Sequence, residues 1–275
     1  MMMNRRTVLG GLAATALSGC ASPETRVAIT RTVSVPSVPA PTNGLDAVID
    51  ISHLVQVDDF TLVRRHSNIR GVFHKASEGG DWSDAAYAVR KPQAEAAGLL
   101  WGAYHFGTRQ YSGEDQAASF LAAAQPGPAT LMALDFEPND RHPANTMTIA
   151  QAEAFVRAVQ QATGRLPLVY THPTWANGGN YGHAGLSLGQ SVSPQSILAR
   201  CDLWLADYRF EPELPWAWSR KGWRFWQYAG NDDADNGAYG SAPRSVAGVD
   251  HCDRNLFSGD VAALYRYWDP NAPTS

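Results

Sequence analysis

The sequence predicts an α/β protein, a modified TIM-like (β/α) barrel with some helices missing in its second half. From Leu45 onward, short apolar runs alternate with longer amphipathic stretches, which is typical of β/α units around a mostly parallel sheet. Eight such runs occur, the number that closes a barrel. The helical patterns are clear early and thin out later. An open doubly wound sheet is the alternative, but no glycine-rich phosphate loop follows the first run.

The predicted strands, in chain order, are 47–52, 71–76, 99–106, 130–136, 166–171, 203–208, 223–228 and 249–253. Helices are predicted over 83–97, 113–124 and 149–163. Thr148 is a suitable N-cap for the last of these, and Gly164 a suitable residue to end it. Residues 173–193 are rich in glycine and asparagine and show no helical periodicity. The missing helices are therefore expected after the fifth strand.

Residues 1–20 have the features of a bacterial export signal. Arg5 and Arg6 precede an apolar run that is too short to span a bilayer, and Leu-Ser-Gly-Cys at 17–20 resembles a lipobox with Cys20 as the lipidated residue. An ordinary cleaved signal with an incidental Cys20 is the alternative. Residues 21–43 contain four prolines and predict a flexible tether to a domain at 44–275. We expect an exported monomer, anchored by lipid to the cell envelope, periplasmic or at the cell surface.

Composition and cysteine usage narrow the possible partners. The net charge of −4 and the absence of a basic run predict no nucleic-acid partner. Cys201 and Cys252 form an even pair in an oxidising compartment, which is compatible with a disulfide. Two buried thiols are the alternative, because twin-arginine export moves proteins that have already folded in the reducing cytosol.

An acidic pair follows the fourth predicted strand. Asp135 and Glu137 are two residues apart, so on a strand their side chains share one face. Two carboxyls on one face repel, which favours one protonated and one ionised group. Glycosidic bond cleavage needs such an acid and base. The alternative is a strand end whose acids cap the next helix or face water.

Other polar residues fall at the ends of the remaining predicted strands. A barrel carries its active site at the C-terminal ends of its strands, so these residues are expected to converge on one rim. His105 is also compatible with a core histidine bonded to backbone. The candidates are Asp50, Ser52, Lys75, Glu78, Tyr104, His105, Tyr170, Asp207, Tyr208, Gln227, Tyr228 and Asp253.

Eight segments in order resemble the family 25 glycoside hydrolases, lysozymes that cut the peptidoglycan glycan strand. The resemblance covers about residues 45–260. Residues 177–189 look longer than is usual in the family. The matching segments are Asp-Ile-Ser-His at 50–53, Lys-Ala-Ser-Glu-Gly at 75–79, Gly-Ala-Tyr-His-Phe at 102–106, Leu-Asp-Phe-Glu at 134–137, Pro-Leu-Val-Tyr-Thr at 167–171, Leu-Trp-Leu-Ala-Asp-Tyr at 203–208, Phe-Trp-Gln-Tyr at 225–228 and Asp-Arg-Asn-Leu-Phe at 253–257.

The resemblance implies cleavage of the β-1,4 bond after N-acetylmuramic acid without a metal or cofactor. It implies Glu137 as general acid and Asp135 as second carboxylate, either a nucleophile or a partner of the substrate's own acetamide. Asp50 and Asp253 match the family's two further acids. The implied substrate-binding residues are Tyr104, His105, Tyr170, Gln227, Tyr228 and Lys75.

Two other classes of protein compete with this interpretation. An inactive cell-wall-binding lipoprotein would keep the fold, although all four acids are present. A metal-dependent barrel hydrolase would need histidines at ligand spacing, and no two of the eight histidines are so paired on a predicted strand or helix.

Overall fold

The computed structural model describes residues 44–230 and 244–269. The predicted export signal, the tether and Cys20 lie outside these residues. Among the described helices, none has the length and apolar character needed to cross a membrane.

Nine strands and seven α-helices are present in the described residues. The strands are β1 (Leu45–Ile51), β2 (Gly71–Glu78), β3 (Trp82–Ser83), β4 (Leu100–Phe106), β5 (Thr130–Asp135), β6 (Leu168–Thr171), β7 (Leu203–Ala206), β8 (Trp223–Ala229) and β9 (Asp253–Phe257). The helices are α1 (Phe60–His66), α2 (Ala85–Ala96), α3 (Gly113–Ala124), α4 (Ile149–Thr163), α5 (Pro173–Ala176), α6 (Ile197–Arg200) and α7 (Val261–Trp268).

Eight of these strands close into a barrel, which confirms the predicted fold class. The order is β1-β9-β8-β7-β6-β5-β4-β2, and β1 pairs with β2 to complete the ring. The short β3 only extends β2 as a hairpin. After β6, α5 and α6 are single turns of four residues each. The second half of the barrel therefore lacks the full crossover helices of the first half.

The prediction of the last strand was wrong in position and direction. The strand is β9, and it runs antiparallel to both β8 and β1, whereas every other neighbouring pair around the ring is parallel. Asp253 therefore begins its strand instead of ending it. Because β9 is reversed, its first residue lies at the rim where the parallel strands end. The cross-strand partner of Asp253 is Asp50.

The barrel interior is filled by aromatic side chains. Phe73 stacks on Trp204 with 4.4 Å between ring centroids. Gly102 leaves the space for Phe73, since a Cβ at Gly102 would lie 2.3 Å from the Phe73 ring. Trp268 of α7 closes the opposite end from the rim and donates from its indole N–H to the carbonyl of Trp101 at 2.9 Å. The interior is thus solid below the rim, so a ligand can enter only from above.

The helices of the first half pack on the outside of the barrel as the sequence predicts. α4 begins with a capping box between Thr148 and Gln151 and ends at Gly164, which has a φ of 72°. α3 approaches α4 so closely that a Cβ at Gly113 would lie 2.2 Å from the Gln151 carbonyl oxygen. This packing fixes the segments on either side of β5, which carries the acidic pair.

Cys201 and Cys252 are buried free thiols, and no disulfide joins them. Cys201 precedes the start of β7, and Cys252 precedes the start of the reversed strand β9. The two residues therefore belong to opposite ends of the barrel. Burial raises the pKa of both thiols to about 12. They act as small core side chains, which is the alternative that the sequence left open.

Candidate active site

A cleft of about 1170 Å³ opens at the rim where the parallel strands end. Because side chains alternate along a strand, only every second residue near a strand end can turn into it. The tyrosines and acids around it give the cleft a polar, largely acidic lining. The predicted site residues that line it are Lys75, Tyr104, Asp135, Glu137, Tyr170, Gln227 and Asp253.

Asp135 and Glu137 both line this cleft, as their two-residue spacing predicts. Asp135 is the last residue of β5. The intervening Phe136 points away from the cleft, into the hydrophobic layer between the barrel and its helices. Burial, and then the charge of Asp140, raises the pKa of Glu137 to about 7. Burial, and then the charge of Glu137, raises the pKa of Asp135 well above its usual range. The pair therefore retains a proton at neutral pH.

The surroundings of the pair explain why ionisation is costly. Asp135 is only 8% exposed, and its Oδ1 accepts no hydrogen bond from the described residues. Lys75 opposes the effect of burial, because its positive charge lowers the pKa of both carboxyls. The Lys75 ammonium is itself paired with Glu78 at 2.7 Å and lies 4.9 Å from the Phe106 ring centroid. Lys75 is therefore shared between Glu78 and the acidic pair.

Asp50 lies beneath the cleft and does not line it. Its carboxylate accepts hydrogen bonds from Gln227 Nε2 at 3.0 and 3.1 Å and from Asn255 Nδ2 at 2.8 Å. Burial raises the pKa of Asp50, and these two donors act against that rise. Asp50 therefore contacts the cleft through Gln227. It acts on the carboxyl pair through its charge, which raises the pKa of both Asp135 and Glu137.

Gln227 links Asp50 to the cleft wall. Its Oε1 accepts from the hydroxyls of Tyr170 and Tyr208, both at 2.9 Å. With the amide oxygen bonded to two phenols and the amide nitrogen to a carboxylate, only one orientation of the side chain satisfies all partners. The two tyrosine rings are consequently fixed at the edge of the cleft.

Asp253 lines the cleft at the start of β9 and forms an ion pair with Arg244. It also accepts a long hydrogen bond of 3.4 Å from Gln227 Nε2. The guanidinium balances the negative charge of Asp253. Asp253 therefore lies at the same cleft as Asp135 and Glu137, although its position depends on a strand direction that the sequence did not predict.

His105 and Tyr228 do not line the cleft, and their predicted placement there was wrong. Each follows an inward-facing neighbour, Tyr104 or Gln227, so alternation turns it outward. His105 is fully buried, bonds to Ser77 Oγ at 2.9 Å and stacks on Phe155. Burial lowers its pKa to about 3, so the ring is neutral. Tyr228 is buried on the outer side of the barrel, in the same cluster as Trp226.

Several cleft residues had no role assigned from the sequence or were not candidates at all. Asp207 and Tyr208 were candidates at a strand end without an assigned role, and both line the cleft. Asp207 is bonded by Arg209 at 2.6 Å and holds the loop that follows β7. Asp140 and Tyr181 also line the cleft. The only available signals were the three-residue distance from Glu137 to Asp140 and the length of the glycine-rich segment that contains Tyr181.

The cleft side chains offer proton transfer and charge stabilisation. Glu137 can give up a proton near neutral pH, and an ionised partner can stabilise positive charge on a substrate. Among residues 44–230 and 244–269, no three His, Cys, Asp or Glu side chains are grouped to hold a metal ion.

A β/α barrel with such a carboxyl pair at its rim defines the class of barrel glycosidases. The family model described as "Glycosyl hydrolases family 25" matches residues 49–236, and the chain belongs to that family. It is accordingly a glycoside hydrolase of the lysozyme type. Lysozyme M1 of Streptomyces globisporus is 27% identical over 241 residues, which cover 82% of this chain and 72% of that protein.

Solved structures share the fold. The bacterial lysozyme from Streptomyces coelicolor superposes with a TM-score of 0.64 at 25% identity, covering 84% of this chain and 100% of that one. The muramidase from Acremonium alcalophilum gives a TM-score of 0.61 at 26% identity and covers 81% of this chain and 98% of that one. The barrel fold is therefore shared with these two proteins.

Proposed function

We propose that this protein is a peptidoglycan hydrolase, a muramidase that cleaves the β-1,4 bond between N-acetylmuramic acid and N-acetylglucosamine. The observation that carries the proposal is the pair of carboxyls, Asp135 and Glu137, which line one cleft and have raised pKa values. Family membership and the likeness to a lysozyme and a muramidase support the same substrate.

Glu137 is the general acid in this proposal. With a pKa of about 7, a large share of Glu137 is protonated at neutral pH and can protonate the leaving glycosidic oxygen. After that transfer, the Glu137 carboxylate can take a proton from the water that attacks the anomeric carbon. One residue thus serves as acid and then as base, which is the pattern of a retaining enzyme.

Asp135 is the second carboxylate, and we favour a role in which it assists the substrate's own acetamide. In that route the acetamide oxygen attacks the anomeric carbon, the glycosidic bond breaks, and the positive charge passes to the acetamide nitrogen. Because Asp135 Oδ1 has no donor among the described residues, the free carboxyl is poorly stabilised as an anion. A substrate N–H that donates to this carboxyl would favour its ionised form.

The other predicted site residues at or beneath the cleft hold substrate or orient the pair. Asp50 orients Gln227 through a hydrogen bond. Asp253 places a further carboxylate at the rim, where it is paired with Arg244. Tyr104 and Tyr170 line the cleft, where their hydroxyls can bond to sugar hydroxyls, and Gln227 holds the Tyr170 hydroxyl in place. Lys75 moderates the charge of the pair and lies at the same wall.

Digestion of purified sacculi tests the activity. The soluble products of the wild-type protein are compared by mass spectrometry with those of Glu137→Gln and of Glu95→Gln, an exposed control on α2. We expect muropeptides ending in reducing N-acetylmuramic acid from the wild type and the control, and a turnover lower by about two to four orders of magnitude for Glu137→Gln. Sacculi that bind all three proteins and stay intact would instead favour a binding module.

We further propose that the chain is exported, anchored at Cys20 and monomeric, with residues 21–43 as the tether to the catalytic domain at 44–275. The lipobox-like Leu-Ser-Gly-Cys at 17–20 supports the anchor. Cys20→Ala should move the protein from the membrane fraction to the soluble fraction. A Cys20→Ala protein that still sediments with membranes would contradict the lipid anchor.

A further inference from the structure

Residues 177–189, here called the wall segment, form one side of the cleft beyond β6. The segment is closed by its own backbone, because Tyr181 and Leu186 pair through hydrogen bonds of 2.8 and 3.0 Å. At its base, Ser187 Oγ donates to the Gly178 carbonyl at 2.6 Å. Next to the segment, Val192 N–H donates to the Ala176 carbonyl at 2.8 Å. These hydrogen bonds hold the wall segment in a defined conformation at the side of the cleft.

Tyr181 of the wall segment stacks on His172, which follows β6. The two ring centroids are 3.9 Å apart and the planes differ by 8°. His172 Nδ1 accepts the backbone N–H of Thr174 at 3.1 Å, which fixes the ring. Burial lowers the pKa of His172 to about 4, so two neutral rings are stacked at neutral pH. Both rings line the cleft.

Asp140 attaches the wall segment to the loop that carries Glu137. Its Oδ1 accepts the backbone N–H of Ala184 at 3.1 Å. Gly182 has a φ of 78°, and a Cβ at this position would lie 2.5 Å from the same oxygen. The backbone of the wall segment thus packs directly on the Asp140 carboxylate, and only glycine allows that approach.

We propose that the wall segment forms a hexose-binding subsite, in which Tyr181 stacks on one sugar ring of the glycan next to Glu137. His172 packs against the Tyr181 ring, and Asp140 holds the segment in position. Flat aromatic faces suit the apolar face of a pyranose ring, and the carboxyl and backbone groups beside it can meet the sugar hydroxyls. This subsite rests on the proposed muramidase function. Asp140 is a positioning residue, which acts through the wall and through Glu137.

The charge of Asp140 gives the arrangement a second consequence. After burial, Asp140 is the largest contributor that raises the pKa of Glu137. The group that holds the wall segment in place therefore also helps Glu137 to keep its proton. The hydrogen bond to the wall segment and the effect of the charge on Glu137 can be separated by substitution. An asparagine at position 140 can still accept the Ala184 N–H but carries no charge.

Steady-state kinetics on soluble, uncrosslinked glycan chains test the subsite. Tyr181→Ala should raise KM about tenfold, the effect of losing one aromatic stacking contact, with a much smaller change in kcat. Gly182→Ala should raise KM similarly, because it displaces the wall from Asp140. Tyr265→Ala, on α7 at the other end of the barrel, is the matched control and should keep the wild-type KM. Asp140→Asn should keep KM within about twofold, while the alkaline limb of its kcat/KM profile moves to lower pH.

A second measurement separates this inference from the proposed function. Binding of the same glycan chains is measured by calorimetry for Glu137→Gln alone and combined with either Tyr181→Ala or Gly182→Ala. A tenfold weaker Kd supports the subsite even if no turnover is found, in which case only the muramidase proposal fails. Wild-type turnover together with an unchanged KM and Kd for both Tyr181→Ala and Gly182→Ala would overturn the subsite.

Discussion

Replacing Gln227 by leucine tests the hydrogen-bonded floor of the cleft. Leucine has nearly the same volume, so the substitution removes polar contacts with little change in packing. It takes away the donor that lies 3.0 and 3.1 Å from the Asp50 carboxylate oxygens. It also takes away the acceptor of the Tyr170 and Tyr208 hydroxyls.

The expected cost follows from what each partner can do afterwards. The two tyrosines line the cleft, so water can replace the lost acceptor at little cost. Asp50 is buried, and of the two side-chain amides that donate to it only that of Asn255 remains in the variant. A hydrogen bond to a charged group contributes about 1.5–3 kcal/mol. The free energy of unfolding should therefore fall by about 2 kcal/mol at neutral pH.

The loss should depend on pH with a defined sign. The pKa of Asp50 in the folded protein is raised above its usual value of 3.8, so its contribution to stability falls as pH rises above that value. Without Gln227 the pKa of Asp50 rises further, and the fall continues to higher pH. The difference between wild type and variant should be smallest near about pH 4 and largest near about pH 7.

Urea denaturation followed by circular dichroism measures this at several pH values. Gln93→Leu on α2 is the control, since Gln93 is exposed and its replacement should change stability by less than about 0.5 kcal/mol. A Gln227→Leu loss that is equally large at both ends of the pH range would refute the role assigned to Asp50. So would a loss no larger than that of the control.

Three further predictions concern other parts of the molecule. The kcat/KM of the wild type should fall as pH rises through about 7, because Glu137 loses its proton there; a rate that keeps rising to about pH 9 would contradict its role as acid. Alkylation of the denatured protein without reductant should label Cys201 and Cys252, as peptide mapping can show, and unlabelled peptides would indicate a disulfide. Gly102→Ala should lower the free energy of unfolding by about 1–3 kcal/mol in urea, because its Cβ would overlap the Phe73 ring, whereas an unchanged midpoint would show that the interior can adjust.

The sequence predicted the barrel and the acidic pair because both depend on local patterns. Alternation of apolar runs is visible along the chain, and the two-residue spacing of Asp135 and Glu137 needs only a strand to place them together. The helices over 113–124 and 149–163 have the predicted bounds, because their caps are encoded next to them. These features need no knowledge of distant contacts.

His105 and Tyr228 were predicted at the rim although the alternation of side chains along a strand places them on its outer face. Each was grouped with its neighbour as a rim residue, yet period-two alternation lets only one of two adjacent residues face the cleft. Tyr104 and Gln227 take the inward positions, and the following residues pack outside the barrel. The sequence alone therefore contains the information that places His105 and Tyr228 outside the cleft.

Asp253 and Asp50 show what local patterns do not contain. Nothing in residues 249–257 indicates that the last strand is reversed, since direction is set by which neighbours it pairs with across the barrel. Asp50 has the expected strand-end position, but its burial under Gln227 depends on donors from β8 and β9. Contacts of this range, between residues about 200 positions apart, appear only in the folded structure.

The reduced second half of the barrel connects the fold to the cleft. In the first half, the chain between strands forms long helices that cover the outside, as α3 and α4 do on either side of β5. After β6, only two single-turn helices occupy the path to β7, so the intervening residues are available at the rim. Residues 177–189 use that length to contact Asp140, on the loop that carries Glu137. The absence of a full helix between β6 and β7 and the presence of the wall segment at the cleft thus both result from the path that the chain takes between these two strands.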